Sequence, residues 1–382
     1  MITDSGLPDW LTDSWRRTLR RRCLNWYSDN ARDLPWRHSS DPYEIWISEI
    51  MLQQTQVATV IPYYNKFLAA FPTCLELASA DEQQVLGLWE GLGYYRRARQ
   101  LHKAAMMVRD NHGGKFPTTF DEVYNLPGIG RYTAGAILSI SLNQPHPIVE
   151  ANTIRLYCRL LGYDADVTAK DAQHLFWTFA DWILPNRNCS DFNQSLMEIG
   201  SLICEPRNPN CNSCPLNRIC KTKQSKRFDE IPRPKQKTQY EDLFEVAVII
   251  RDPKTSHVLI RQCQPDERWA GLWDFPRFTL GDLQASEIQS DSDVKAGTKH
   301  DVRKAVRDRC SIDIEEPTWI HSLKHSITRY RVHLTCFQSE IKVDKPKRIT
   351  TVDSLRWVSA KELADMPLSV SGRKLAKFVE DK

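Results

Sequence analysis

The sequence lacks several things, and each absence narrows what the chain can be. Nowhere in its 382 residues does an apolar run approach the roughly 20 residues that a membrane-spanning helix requires. Its opening stretch, MITDSGLPDWLTDSWRRTLRRR, has basic residues with no apolar segment behind them, which is not the pattern of a secretory leader. Charge of one sign is not in excess: 52 Lys and Arg against 48 Asp and Glu leave +4, a weak pointer to a polyanionic partner. The cysteine count, 11, is odd, which argues against a complete set of disulfides. No internal repeat is visible. The expectation is a cytoplasmic protein with no membrane partner, whose thiols stay reduced unless a metal holds them.

Hydrophobic residues make up 41% and charged residues 26%, ordinary for a globular chain, and the length allows two domains with separate cores. From residue 10 to about 222, apolar residues recur every three to four positions, as in EIWISEIMLQQTQVATVIPYYNKFLAAF and RYTAGAILSISL, punctuated by FPT, LPGIG and NQPHP. This predicts a mainly α-helical domain over 1–221. KTKQSKRFDEIPRPKQKTQYED is charged, contains proline and has no apolar pattern, and it reads as a linker over 222–241. Short β-rich runs follow (FEVAVIIRD, HVLIRQC, YRVHLTCFQ, LRWVS), alternating with helical stretches HDVRKAVRDRC and SGRKLAKFVED, so 242–382 is expected to be a smaller α+β domain. Two basic runs, RRTLRRR (16–22) and YYRRARQLHK (94–103), fit either a solvated helix face or a nucleic-acid contact.

Two local features carry chemistry. Cys204, Cys211, Cys214 and Cys220 are spaced C-x6-C-x2-C-x5-C, with no histidine among them. Four soft thiolates suit a tetrahedral zinc or an iron–sulfur cluster; with only one close C-x2-C pair, the spacing favours a [4Fe–4S] cluster over a zinc ribbon. Arg207, Arg218, Lys221 and Lys223 surround these cysteines, and a basic loop held rigid by a metal cluster is suited to contact a phosphate. In LPGIGRYTAGAI, Gly128 and Gly130 permit a tight turn that bares backbone N–H groups at a helix start. That is a place for a phosphate, or simply a corner between two helices.

Taken in order, LPGIGRYTAG, PIVEANTIRLYCRL and the cysteine tail resemble the helix-hairpin-helix DNA glycosylases that carry an iron–sulfur cluster. RDLPWR, WISEIMLQQTQV and GLGYYRRARQLHKAA narrow the resemblance to the adenine DNA glycosylases, which act on adenine opposite 8-oxoguanine or guanine. It covers residues 20–222 closely and the rest more loosely. The resemblance implies base-excision repair by a monomer on double-stranded DNA with an A:8-oxoguanine or A:G mispair, a [4Fe–4S] cofactor, and a bacterial, nucleoid-associated setting.

Releasing adenine requires a proton on the leaving base and stabilisation of a cationic sugar, which two carboxyl groups in different environments can supply. Glu49 lies on a helix among Ile45, Trp46, Ile50 and Met51, where desolvation raises its pKa as a general acid needs; in the family the matching residue protonates N7 of the everted adenine. The second carboxylate maps to Glu150 in Glu150-Ala151-Asn152, where the family usually carries aspartate, with Asn152 orienting water or sugar. The extra methylene moves the charge by about one bond length, a misplacement that can cost roughly a hundredfold in rate. Alternatively, Glu150 is a helix-start residue favoured by the helix dipole. Tyr132 stands where bifunctional relatives resembling endonuclease III carry a Schiff-base lysine, which implies a monofunctional enzyme with Tyr132 bonding the carboxylate or the adenine. The resemblance also assigns Arg32, Leu34, Trp36 and Arg37 to the adenine pocket, Gln194 to the base edge, and Gln54 and Tyr94 to wedges that enter the stack when the base is extruded.

In the C-terminal part, RWAGLWDFPRF resembles the start of a Nudix fold, but HDVRKAVRDRCSIDI lacks the clustered glutamates that bind Mg²⁺ in the hydrolase box. A module that recognises 8-oxoguanine is expected. Its usual Phe-Ser-His tip is replaced by Ile327-Thr328-Arg329 after His325, with Thr328 keeping a hydroxyl and Arg329 able to hold a phosphate. Two other readings stay open: an endonuclease III-like glycosylase/lyase, and a non-catalytic DNA-damage binding protein left by the Asp-to-Glu change.

Overall fold

The computed structural model describes residues 6–233, 239–279, 290–342 and 354–380. Contacts divide the chain into two units, Met1–Ala80 with Arg96–Gln236, and Asp81–Tyr95 with Lys237–Lys382. Helices run in chain order as α1 (Asp13–Asn30), α2 (Pro42–Leu52), α3 (Val57–Ala70), α4 (Cys74–Ser79), α5 (Glu82–Leu88), α6 (Arg96–His112), α7 (Phe120–Tyr124), α8 (Arg131–Leu142), α9 (Ala151–Leu161), α10 (Lys170–Ile183), α11 (Cys189–Glu198) and α12 (Lys221–Ser225). All but α5 belong to the first unit. Among the described residues no helix is long and apolar enough to cross a membrane.

Local sequence sets where these helices begin. Thr12 accepts the Trp15 N–H at 3.2 Å, and Asp41 accepts the Tyr43 N–H at 2.8 Å with Pro42 in the first turn. Thr73 and Glu76 form a reciprocal capping box. Each device satisfies backbone donors that a helix start leaves without a partner. α2 is apolar nearly all round and buries Ile45, Trp46, Ile47, Ile50 and Met51. A helix of that kind must sit inside the fold, and it takes Glu49 with it. A second core forms where α1, α9, α10 and α11 meet, around Tyr157, Phe176, Phe179, Phe192 and Leu196.

The basic run of α1 has an internal use. Arg20 donates to Ile183 O at 2.7 Å, to Trp182 O at 3.2 Å and to Leu184 O, while Arg16 donates to Trp182 O at 3.4 Å. These carbonyls lie at the C-terminal end of α10, where the helix leaves them unpaired and where a cation is favoured. Arg22 reaches Pro215 O at 2.6 Å and the Trp15 indole reaches Ile219 O at 3.3 Å, tying α1 to the cysteine loop. Thr222 and Ile231 are buried, and Arg159 Nε donates to Ile231 O at 2.9 Å, so this part of 222–241 packs onto the first unit.

In the second unit the described strands are β1 (Glu241–Arg251), β2 (Val258–Gln262), β3 (Trp273–Asp274), β4 (Arg277–Thr279), β5 (Thr318–Ile327), β6 (Tyr330–Glu340) and β7 (Leu355–Val358). They form one sheet with the order β3-β2-β1-β6-β5; β4 also pairs with β1, and β7 with β2. The β1–β6 pair is parallel, with Glu241 opposite Tyr330, and the other pairs are antiparallel. Central β1 is buried on both faces. Val246, Val248 and Ile250 face the core shared with α13 (Ala296–Cys310), and Ala247 and Ile249 face the core shared with α14 (Ala360–Asp365) and α15 (Val370–Glu380). A strand covered on both sides reads as a continuous apolar run, which is why FEVAVIIRD does not alternate.

Candidate active site

A cavity of about 440 Å³ in the first unit is lined by residues from distant parts of the chain: Glu49 from α2, Tyr132 from α8, Glu150 and Asn152 at the start of α9, and Gln194 and Glu198 from α11. Arg32, Leu34, Trp36, Arg37 and Gln54 also line it. Ten residues expected from the sequence thus meet in one place.

Glu49 is 6% exposed. Burial pushes its carboxyl up to about 7; a hydrogen bond from Tyr132 pulls it down and the neighbouring Glu150 charge pushes it up. Tyr132 Oη donates to Glu49 Oε2 at 2.8 Å and also lies 3.4 Å from Met197 Sδ. Burial first, and then the Glu49 and Glu150 charges, raise the phenol well above its ordinary range, so Tyr132 stays a donor.

Glu150 unites the two readings of its sequence position. It is the N-cap of α9 and it also lines the cavity. Its Oε2 accepts Asn152 N at 2.8 Å and Asn152 Nδ2 at 3.2 Å, and its Oε1 accepts Thr153 N at 2.8 Å. Burial pushes its carboxyl up, while the two backbone N–H donors and Arg155 pull it down; the net direction is up. Asn152 Oδ1 in turn accepts Arg155 Nη2 at 2.8 Å.

Arg155 is held because α11 runs into a π turn over Ile199–Ile203. Cys204 N bonds Ile199 O at 2.7 Å, and the Gly200 carbonyl accepts Arg155 Nη2 at 2.6 Å. A Cβ at Gly200 would stand 3.0 Å from Asn152 Cβ, so only glycine leaves this approach undisturbed. Arg155 Nε donates to Cys204 O at 2.7 Å, completing a bonded path from Glu150 through Asn152 to the first cysteine of the cluster motif.

Glu198 was not singled out from the sequence. It is 1% exposed and takes both cavity arginines: Arg32 Nη2 at 2.5 Å and Arg37 Nη2 at 2.6 Å, both on Oε1. Burial pushes the Glu198 carboxyl up, but the hydrogen bonds and charges of Arg32 and Arg37 outweigh it and leave the pKa below the ordinary value. Arg32 and Arg37 are therefore engaged by a carboxylate while they line the cavity. Leu34 and Trp36 are largely buried, and Trp36 packs edge-on against Tyr64. Gln194 Nε2 donates to Ser190 Oγ at 3.1 Å.

Other expected residues stand elsewhere. Gly128, with φ +80°, forms the turn between α7 and α8, where a Cβ would come 2.7 Å from Gln100 Cβ. Gly130 is the N-cap of α8 and offers no side-chain cap. Gln54, exposed on the rim, has φ 58°, a left-handed conformation that is strained in a non-glycine residue. Tyr94 (φ 50°) and Thr328 (φ 51°) belong to the second unit. Thr328 lies in the tight turn joining β5 to β6, and its hydroxyl donates to Ile327 O at 2.7 Å. Arg329 donates to Tyr330 Oη at 2.8 Å.

Cys204, Cys211, Cys214 and Cys220 line one cavity whose apolar wall includes Leu156, Leu160, Ile203, Leu216 and Phe228. Among the described residues no three His, Cys, Asp or Glu side chains are grouped to hold a metal ion. The donor set around this cavity is all sulfur, and buried Arg159 directs Nη1 at Cys204 Sγ from 3.3 Å. Four soft ligands beside a fixed cation match the chemistry of a thiolate-held cluster.

Comparison with known proteins supplies the family. Residues 47–181 match the HhH-GPD superfamily base excision DNA repair proteins, and residues 246–377 match the NUDIX domain. The chain is 41% identical over 256 residues to the adenine DNA glycosylase of Buchnera aphidicola subsp. Schizaphis graminum, covering 67% of this chain and 73% of that one. It is 30% identical over 420 residues to the adenine DNA glycosylase of Rattus norvegicus, covering 95% of this chain and 78% of that one. Among solved structures, a thermostable thymine-DNA glycosylase aligns with a TM-score of 0.52 at 28% identity, covering 56% of this chain and 98% of that one. With a helical glycosylase half, a NUDIX half and relatives matched over most of its length, this chain belongs to the adenine DNA glycosylase family.

Proposed function

We propose that the protein removes adenine from duplex DNA where it faces 8-oxoguanine or guanine, by hydrolysis of the N-glycosidic bond, leaving an abasic site. The observation that carries this reading is the meeting of Glu49, Glu150 and Tyr132 on one cavity of about 440 Å³, which suits an everted purine. Glu49, pushed up to about 7 by burial, is the general acid for the leaving adenine. Glu150, held by the α9 backbone, faces the cationic sugar, and Asn152 orients the sugar or the attacking water. The extra methylene of Glu150 is accommodated by pinning both carboxylate oxygens on N–H groups. Glu198 holds Arg32 and Arg37 where, with Gln194, they meet the edge of the base. Among the described residues lining the cavity none is a lysine, which favours hydrolysis over a Schiff-base lyase.

Gly128 and Gly130 present the start of α8 to a DNA phosphate, and Gln54 and Tyr94 enter the stack as the base leaves it. Thr328 and Arg329 contribute to the reading of 8-oxoguanine. Cys204, Cys211, Cys214 and Cys220 would hold a [4Fe–4S] cluster, which when bound cross-links the loop after α11 and brings its basic residues to the backbone. The cavity that holds the residues given a role in base release is built within the first unit of one chain, which supports action as a monomer on nucleoid DNA.

The test is incubation with an A:8-oxoguanine duplex, with the product split in the presence and absence of alkali. Strand breaks that need alkali are expected. Breaks without alkali would replace this reading by a lyase, and tight binding with no breaks would replace it by a damage-binding protein.

A further inference from the structure

The second unit contains a segment that chain order places within the helical half. α5 and the turn after it are fastened to the sheet and the C-terminal helices at two points. The Gln83 amide bridges Gly271 O (3.0 Å from Nε2) and the Trp273 indole (3.0 Å to Oε1). The Glu90 carboxylate takes both arms of Arg373, at 2.7 Å from Nε and 2.9 Å from Nη2, and accepts Leu368 N at 3.2 Å. Arg373 also donates to Leu363 O at 3.2 Å and Met366 O at 2.7 Å, so the guanidinium is fixed from both sides. A bidentate guanidinium–carboxylate pair fixes direction as well as distance.

The backbone next to this anchor is unusual. It turns through Gly91 (φ 97°), Gly93 (φ 73°) and Tyr94 (φ 50°). Trp89 Nε1 donates to Gly93 O at 3.2 Å, and Gly91 N donates to Tyr95 Oη at 3.2 Å. The Tyr94 residue is 51% exposed. A left-handed tyrosine persists only where its surroundings impose it. Here the Glu90–Arg373 pair lies four residues before Tyr94, and the only chain between them is this bonded turn.

We infer that Arg373 and Trp273 are positioning residues for Tyr94: the C-terminal α+β region sets how that ring is presented to DNA. This rests on the proposed function, in which Tyr94 enters the base stack. The C-terminal region then acts on base extrusion through the Tyr94 turn, in addition to any contact of its own with 8-oxoguanine.

The full-length protein is mixed with an A:8-oxoguanine duplex carrying 2-aminopurine beside the lesion, and the fluorescence rise that reports opening of the stack is followed alongside single-turnover adenine release. Adenine release by the wild-type protein tests the function proposed above; the fluorescence tests this inference. Arg373→Gln should slow the fluorescence rise about tenfold, in the same direction as Tyr94→Ala, with duplex affinity unchanged. Arg373→Lys, which keeps the charge and a donor toward Glu90, should recover part of the rate. No fluorescence rise in the wild-type protein, an unchanged rise in Arg373→Gln, or a rise in Arg373→Lys as slow as in Arg373→Gln would each overturn the inference. Should Arg373→Gln not fold, Gln83→Met removes the amide that bridges Gly271 O and the Trp273 indole without cutting into the core, and it should slow the rise in the same direction; an unchanged rise there would overturn the inference.

Discussion

The phenol of Tyr132 stands 2.8 Å from Glu49 Oε2 and donates to it, joining the start of α8 to the middle of α2 inside the cavity. The bond favours the ionised form of a carboxyl that burial would otherwise keep protonated to still higher pH. The acid therefore has two opposing controls, and they can be separated by experiment.

Base release should fall as pH rises through about 7, because Glu49 must be protonated to act. A pH series of single-turnover rates checks this. Glu49→Gln should show no release at any pH while still binding duplex, and retained turnover in that variant would refute the acid assignment.

Glu49 also ties stability to pH. Its folded value, about 7, lies above the ordinary 4.5, so its contribution is fully present below 4.5 and is lost as pH rises through 7. The shift corresponds to about 3 kcal/mol. Glu49→Gln should be more stable than wild type at pH ~8 by up to that amount and should lose the advantage near pH ~4. Urea unfolding at the two pH values decides, and a gain independent of pH would remove the desolvation argument.

Tyr132→Phe deletes the donor that lowers the Glu49 pKa. The alkaline limb of the rate profile should move to higher pH, with a modest loss of rate and no gain of strand cleavage without alkali. A limb that stays in place or moves down would show that the bond does not tune the acid.

Glu198→Gln leaves Arg32 and Arg37 without their shared carboxylate. Removing one partner of such a buried pair costs about 3–5 kcal/mol. The Glu198 pKa is held below 4.5, so its contribution is present above that value and fades as pH falls through the folded value. The variant should be markedly less stable near neutrality and approach wild type in acid, as thermal unfolding at several pH values would record.

Much of the candidate site was legible in the sequence because the residues that line the cavity sit on short motifs with local structural causes. Glu49 was readable from its apolar neighbours, since a helix apolar all round has to be buried. Gly128 was readable because LPGIG between two helical stretches permits a tight turn at a helix start, and the structure adds that its left-handed backbone passes within a side chain's reach of Gln100. β1 and β6 were readable as dense apolar runs, whereas β5, with Lys324, His325 and several half-exposed positions, carried too little pattern to mark it as a strand. Glu198 lies in the helix that offered Gln194, yet nothing in FNQSLMEIG separates a buried carboxylate from an exposed one.

By itself the sequence determined the order of helical and β-rich halves, and it singled out Glu49, Glu150, the hairpin glycines and the four cysteines as candidates, because each depends on residues near one another in the chain. Only the tertiary structure decided that Arg16, Arg20 and Arg22 cap internal carbonyls, that Glu198 claims Arg32 and Arg37, and that Arg155 links Asn152 to Cys204. Those facts depend on which unpaired donors and acceptors are brought face to face across the fold, and residue type alone does not determine a charged group's partner once it leaves water.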